Sequence, residues 1–425
     1  MTTDAGGSAP TTRRGALALG LGVAAATAAP AAGFRRARAQ ANPSEVKVAV
    51  LAPMSGPWAR AGILARLGAE MAVDEVNASG GIRSLGGARM RLVIYDAGEN
   101  AERAKNAAQR MVAQESDLVG GSGAWLSSFT LAVTEVTERA EVPWLTLSYA
   151  DSITERGFRY VFQCSPTANA QAVQTLPVVL GLAQRATGRR PMRLGMIADN
   201  TAAPQGIVRP IRATEAERHG LRIVVDETFT PPLSDATPMI QRVRSARPDF
   251  LLLLSTAVPD DKLLAEKLNE FGLGQGRLPA IGNGGHWGAP ELAQITSPQI
   301  LEGTMFTLSN WPGKGSEELN RRFIARTREP WMGHDSILPY ADIMILREAM
   351  ERAGSADRRR VMEAIRALDL RNEGPALLFP SRRLKFDERG RLVDAVMVTC
   401  QWRNGVPHAV DPAEIATAEA FWPRA

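Results

Sequence analysis

Apolar positions along the chain recur with two periods, and stretches of one alternate with stretches of the other. From Glu45 the run Val46-Lys47-Val48-Ala49-Val50-Leu51 reads as a strand that stops at Pro53. After it, Ile63, Leu64, Leu67, Met71 and Val76 fall at helical spacing until Gly80-Gly81 ends the stretch. The cycle repeats, with strands predicted at 90–95, 117–120 and 144–147 and helices at 102–114 and 127–140. A second series starts in the same style, with strands at 193–198, 221–225 and 250–255 and helices at 206–219 and 238–245. Phe250 to Leu254 is apolar at every position, the pattern of a strand buried on both faces. Further helices are expected at 261–271, 317–328 and 336–353, followed by a turn at 386–391, an alternating strand at 396–402 and an Asn404-Gly405 turn. Alternating strand and helix calls for parallel sheets covered on both faces, so the fold class is α/β with two such units in tandem. The halves are not separated by a low-complexity linker, which favours several short crossings over one tether.

Composition narrows the class. With 425 residues, 45% hydrophobic and 22% charged, the chain is globular and too long for a single core, so two domains or two lobes are expected. Residues 1–39 read as an export signal: Thr12-Arg13-Arg14, then a Gly/Ala-rich apolar run, then Ala37-Arg38-Ala39 as the exit site. The paired arginines resemble the twin-arginine type, although Gly15-Ala16-Leu17 departs from that pathway's preferred Phe-Leu-Lys. An N-terminal membrane anchor is the competing reading, disfavoured by weak hydrophobicity and by the cleavage-type site. Export near Ala39 places the mature protein in the periplasm. Five arginines against one aspartate in that segment account for +4 of the formal +5, so the rest of the chain has no basic excess with which to hold nucleic acid. Cys164 and Cys400 are too few for a thiolate metal cage, and spacing leaves their pairing open.

In open parallel sheets, ligands bind beyond the carboxyl ends of the strands. Those loops hold Met54 to Arg60, Gly120 to Ser128 and Ser148 to Asp151, rich in hydroxyls and backbone amides that suit a carboxylate at a helix start. Plain capping by Ser127 or Ser128 is the bland alternative, as it is for Asp96 at its strand-to-helix turn. Gly120 to Gly123 fails as a nucleotide loop, because Leu126 stands where a dinucleotide fingerprint needs a small residue and no Gly-Lys-Ser/Thr follows. The same segment is a degenerate nucleophile elbow around Ser122, without its last glycine and without an evident base. His219, His286, His334 and His408 stand apart with no metal spacing, and only His286, just after an apparent strand, is placed to line a cleft. These patterns imply no enzyme, no cofactor and no metal.

Several of these segments together resemble the leucine/isoleucine/valine-binding family, the extracytoplasmic solute-binding proteins of branched-chain amino acid ABC transporters. The resemblance rests on Val48 to Pro57, Asn77 to Ile82, Tyr95-Asp96, Ser148 to Phe158, the Phe386 to Gly390 turn and Gln401-Trp402. It implies a type I periplasmic binding fold, two lobes joined by a three-crossing hinge, with lobe one at 45–164 plus 306–380 and lobe two at 165–305 plus 381–415. It further implies a solute carboxylate held by Ser127, with Ser128, and by the loop Tyr149-Ala150-Asp151. Trp58, Arg60 and Trp125 would flank the solute, and Asn200, Thr201, Ser255, Thr256, Asn283 and Gly284 would close over it from lobe two. Gly284 falls where relatives that bind aliphatic amino acids place an acid for the ammonium group, so a carboxylated, aromatic or amide-bearing solute competes with an α-amino acid; Asp199 and Asp151 are the candidate substitutes. Trp58 is equally well explained by packing. The implied partners are a small solute and the permease and ATPase subunits of the transporter, with the receptor a monomer. A ligand sensor without a transport role, and an exported hydrolase using Ser122, are the alternatives from other classes.

Overall fold

The first βαβ series forms one sheet. In the computed structural model, which describes residues 43–422, strands β1 (Glu45–Ala52), β2 (Arg89–Asp96), β3 (Leu118–Gly123), β4 (Trp144–Thr146) and β5 (Val161–Gln163) lie in the order β2-β1-β3-β4-β5, all parallel. The export signal expected at 1–39 lies outside the described residues. Helix Ala59–Ala78 buries a face of small residues, among them Ala61, Ala65, Gly68 and Ala72, against helix His334–Ala353. Gly68 is required there: a Cβ would come within 2.0 Å of the Ser336 carbonyl oxygen. Small side chains let two helix backbones approach closely, and this contact seats the first turn of helix His334–Ala353 against the first lobe.

The chain then builds a second sheet from β6 (Arg193–Asp199), β7 (Arg222–Phe229), β8 (Phe250–Leu254), β9 (Ala280–Asn283) and β10 (Met305–Leu308). β8 is buried throughout, and its side chains alternate between two cores: Phe250, Leu252 and Leu254 face one, Leu251 and Leu253 the other. Its unbroken apolar run is thus a period of two with both faces covered. Helices from 317 to 366 return to the first lobe, where β11 (Asp369–Arg371) and β12 (Arg383–Lys385) pair as a small antiparallel ribbon. β13 (Val398–Arg403) and β14 (Val406–Asp411) then join the second sheet antiparallel, giving the order β14-β13-β10-β9-β8-β6-β7.

Two lobe boundaries differ from the expected ones. β10 hydrogen-bonds to β9 and β13, so residues 306–308 belong to the second lobe and not the first. Leu384, Phe386 and Leu392 pack in the first lobe's core, so the last crossing follows 392 instead of 380. The sequence pattern marks strands but not which sheet they join. The crossings touch one another: Ser165 and Ser309 share a hydroxyl hydrogen bond at 2.9 Å, and Gln163 on β5 exchanges backbone hydrogen bonds with Gly390 and Leu392.

Helix Ala168–Thr187 and the three-residue β5 were not foreseen from the pattern. The helix expected at 206–219 starts earlier, as Ala202–Pro210, and runs through a wider π turn, Ile211–Glu215. Pro210 has no N–H to give to the helical ladder, which accounts for the change of pitch. Cys164 and Cys400 are both free and buried, in the cores of different lobes. Among the described residues, no helix is long and apolar enough to cross a membrane.

Candidate functional site

The carboxyl ends of both sheets face each other across a cavity of about 40 Å³. The first lobe contributes Trp125 to Ser127 after β3, Leu147 to Tyr149 after β4, and His334 and Asp335 from the start of a helix. The second lobe contributes Ala203, Pro204, Ser255, Thr256 and the stretch Asn283 to His286 after β9. This is the crevice at which open α/β sheets bind ligands.

Ser127 opens helix Ser127–Arg139 but does not cap it, and no side chain does. Its hydroxyl oxygen instead accepts the backbone N–H groups of Tyr149 and Ala150, each at 3.1 Å. One hydroxyl and two amides therefore converge at one buried point on the first lobe. Tyr149 Oη and His334 Nε2 are hydrogen-bonded at 3.0 Å. Burial holds His334 near a pKa of about 3, so its imidazole is neutral. Burial likewise pushes the Tyr149 hydroxyl well above its ordinary pKa.

The second lobe faces these groups with a buried histidine–aspartate pair. His286 Nδ1 lies 2.6 Å from Asp261 Oδ2, both are buried, and the Ser255 hydroxyl donates to the other Asp261 oxygen. Burial alone would lower the pKa of His286, but the adjacent Asp261 carboxylate outweighs it and the shift is upward. Asp199, at the end of β6, accepts from the Thr201 N–H at 2.8 Å, the Thr201 hydroxyl at 2.6 Å and the Thr256 hydroxyl at 2.6 Å. Burial raises its pKa, and these donors oppose the rise.

Of the residues singled out in the sequence, Trp125, Ser127, Tyr149, Ser255, Thr256, Asn283 and Gly284 meet at the cavity. Ala150 does not line the cavity; its N–H donates to the Ser127 hydroxyl oxygen. Ser128 lies on the outer part of its helix and does not line the cavity. Trp58 stands away from it, packing edge-to-face on Phe129 at 5.6 Å. Arg60 is committed to two carboxylates, Glu291 of the second lobe and Glu329 at 2.5 Å. Asp151 accepts the Asn169 N–H at 2.9 Å and joins the lobes without facing the cavity. Asn200 is exposed and donates to the Thr230 hydroxyl, and Thr201 serves Asp199. Asp96 does not cap a helix; it accepts the N–H groups of Met54 and Gly98 and so shapes the loop after β1. Ser122 is buried within β3, donates to Asp342 and does not line the cavity.

The sequence pattern does not place Asp261, His334 or Asp335 at the site. The helix was started at 336, whereas it begins at His334, and that two-residue difference left both residues in a loop. Gly333-His334-Asp335-Ser336, with Asp335 and Ser336 just ahead of the apolar run Ile337-Leu338, is the signal of a helix start.

Gly284 has φ +106°, and a Cβ there would fall 2.6 Å from His286 Nε2. The position thus holds glycine because the imidazole fills the space a side chain would need. Gly284→Ala is expected to lower stability by about 1–3 kcal/mol through backbone strain and displacement of His286. Urea unfolding of the two proteins checks this; equal midpoints and slopes would show that the loop accommodates the methyl group.

The sequence profile of the periplasmic binding protein family matches residues 45–405, so this chain belongs to that family. Among curated proteins it is similar to Leu/Ile/Val-binding protein homolog 7 of Brucella abortus (strain 2308), 25% identical over 398 residues covering 92% of this chain and 97% of the relative. Leu/Ile/Val-binding protein homolog 8 of Brucella suis biovar 1 (strain 1330) is 26% identical over 390 residues, covering 88% and 93%. Among solved structures, a leucine binding protein from Thermotoga maritima superimposes with a TM-score of 0.71 at 23% identity, covering 86% of this chain and 97% of the other. A branched-chain amino acid transporter substrate binding protein from Streptococcus pneumoniae, in complex with isoleucine, gives 0.73 at 19%, covering 87% and 100%. An ABC transporter solute binding protein from R. palustris, in complex with benzoate, gives 0.71 at 16%, covering 90% and 100%. These likenesses establish the type I periplasmic binding fold.

Among the described residues there is no group of three or more His, Cys, Asp or Glu placed to hold a metal ion.

Proposed function

We propose that this protein is the solute receptor of an ABC importer, which captures a small carboxylate-bearing solute between its lobes and delivers it to a permease and ATPase pair. One observation carries the reading: the buried Ser127 hydroxyl lines the interlobe cavity and is held there by the Tyr149 and Ala150 amides, which donate to its oxygen. With its oxygen accepting both amides, the Ser127 hydroxyl has its proton left to donate, which suits a carboxylate that gains a charge-assisted hydrogen bond there. Family membership supports solute binding and a periplasmic place, in keeping with the export signal expected at 1–39 and its removal near Ala39. A single cleft per chain suits a monomer. The hinge contacts between Ser165 and Ser309 lie where closure of the two lobes would be felt. Because the fold is shared by a receptor holding isoleucine and one holding benzoate, the lining side chains carry the choice of solute.

The test is a thermal-shift screen of the protein from Gln40 onward against amino acids, aromatic acids, dicarboxylates and short amides, followed by calorimetry on Ser127→Ala. A solute that binds only the folded state raises the melting temperature. At least one carboxylate is expected to do so, and Ser127→Ala to weaken it by about 1–3 kcal/mol. Binding of amides alone, with Ser127→Ala indistinguishable from the parent, would remove the carboxylate reading.

A further inference from the structure

We propose that the protein has a second ligand site, at the hinge and outside the interlobe cavity, for a small amphiphilic carboxylate: one acid group on a short alkyl or aryl body. The site goes beyond the receptor reading above and does not depend on it.

The second crossing between the lobes, Asn310 to Ser316, joins β10 to helix Glu317–Thr327 and borders a cavity of about 120 Å³, larger than the interlobe cavity of about 40 Å³. No residue lines both. Helix His334–Ala353 separates them, with His334 and Asp335 at the interlobe cavity and Ile337 at the hinge cavity. The walls are apolar and come from both lobes. Leu319, Ile337 and Phe379 belong to the first lobe's core, and Trp311 and Ile415 to the second lobe's. Two hydrogen bonds fasten the hinge segment between these walls: Asn310 Nδ2 donates to the Leu378 carbonyl at 2.5 Å, and the Lys314 N–H to the Ile415 carbonyl at 3.1 Å. Gly313 permits the second approach, since a Cβ there would lie 2.2 Å from the Ile415 carbonyl oxygen.

The mouth has a different chemistry. Lys314, Leu377 and Arg382 line it and are exposed, Leu377 by 50%. Among the described residues, neither the Lys314 ammonium nor the Arg382 guanidinium has a carboxylate oxygen within 4.0 Å. Arg383, the next residue, pairs with both Asp369 and Asp394. The acid beside this lip, Glu317, accepts the Gly315 N–H at 2.9 Å. The Arg382 guanidinium closes on Gly315, where a Cβ would fall 2.5 Å from one of its nitrogens, and Arg382 itself has φ +50°, uncommon for a residue with a side chain. An apolar pocket under two unpaired cations matches an amphiphilic acid. Its body leaves water for the cavity, and its carboxylate meets a planar guanidinium that can donate two parallel hydrogen bonds. A neutral apolar molecule would leave the cations unused, and a small anion would gain nothing from the walls.

The experiment is calorimetry with octanoate, octanamide and acetate. It is run on the parent, on the double variant Lys314→Gln/Arg382→Gln and on Ser127→Ala, with melting curves to establish folding. Both residues changed in the double variant are exposed, so the cores are untouched. Expected is octanoate binding to the parent, with octanamide and acetate each at least about 10-fold weaker, a loss of about 10-fold or more for octanoate in the double variant, and no loss in Ser127→Ala. If octanoate does not bind the parent, or binds the double variant as tightly, the inference falls. If octanoate is weakened by Ser127→Ala and not by the double variant, it occupies the interlobe cavity: the receptor reading stands and the hinge site falls.

Discussion

Asp342→Asn is expected to stabilise the protein, and to do so more at alkaline than at acid pH. Asp342 is fully buried in the first lobe on helix His334–Ala353, with the Ser122 hydroxyl donating to its Oδ2 at 2.6 Å and no hydrogen-bond partner on Oδ1. Burial, only partly opposed by Ser122 and by the neighbouring Cys164 thiol, raises its pKa to about 7. A carboxyl whose folded pKa lies above its unfolded value binds more protons in the native state than in the unfolded one. Stability therefore falls as pH rises from the unfolded pKa near 4 to the folded one near 7, and the full penalty applies above that. Asparagine does not titrate. Its gain over the parent should be about 3 kcal/mol larger at pH 8 than at pH 5, an order-of-magnitude figure from the difference in pKa. Any fixed cost of placing the new amide beside Cys164 shifts both values equally. Urea unfolding at the two pH values measures this, and a gain that does not change with pH would mean that Asp342 is ionised at the same pH in both states.

Asp261→Ala should act in the opposite direction, lowering stability by about 3–5 kcal/mol, the usual consequence of removing one partner of a buried pair. It strips His286 of its 2.6 Å partner and leaves the Ser255 hydroxyl without its acceptor. Placing His286→Leu in the same background removes the stranded imidazole, and much of the loss should return. The double-mutant cycle is the direct measurement. If the two substitutions are additive, the pair is not an energetic unit, and His286 keeps its place in the cavity by packing against Trp125, whose ring lies 6.3 Å away.

The strand and helix periods were legible because burial acts locally. β8 could be read from five consecutive apolar residues and β1 from its run before Pro53, since a strand between two helical layers must be apolar on both faces. The loops after β3 and β4 could be singled out because position at a strand's carboxyl end follows from that order alone. Other features have no local signature. Met305–Leu308 reads as a strand wherever it goes, and only its neighbours β9 and β13 assign it to the second lobe. Arg60 and Trp58 follow β1 at its carboxyl end, yet an ion pair with Glu291 and Glu329 claims one and packing on Phe129 the other.

What the amino-acid sequence determined by itself was the α/β class, the two tandem units and Ser127 as a candidate anchor, because each is a matter of short-range pattern. The tertiary structure decided the electrostatics. Trp125 and Asp335 are 210 residues apart, Asp261 and His286 are 25 apart, and Ser122 and Asp342 are 220 apart. Whether a carboxylate is paired, capped or left open depends on what is folded against it, and charge pairing over such separations exists only once both lobes are built.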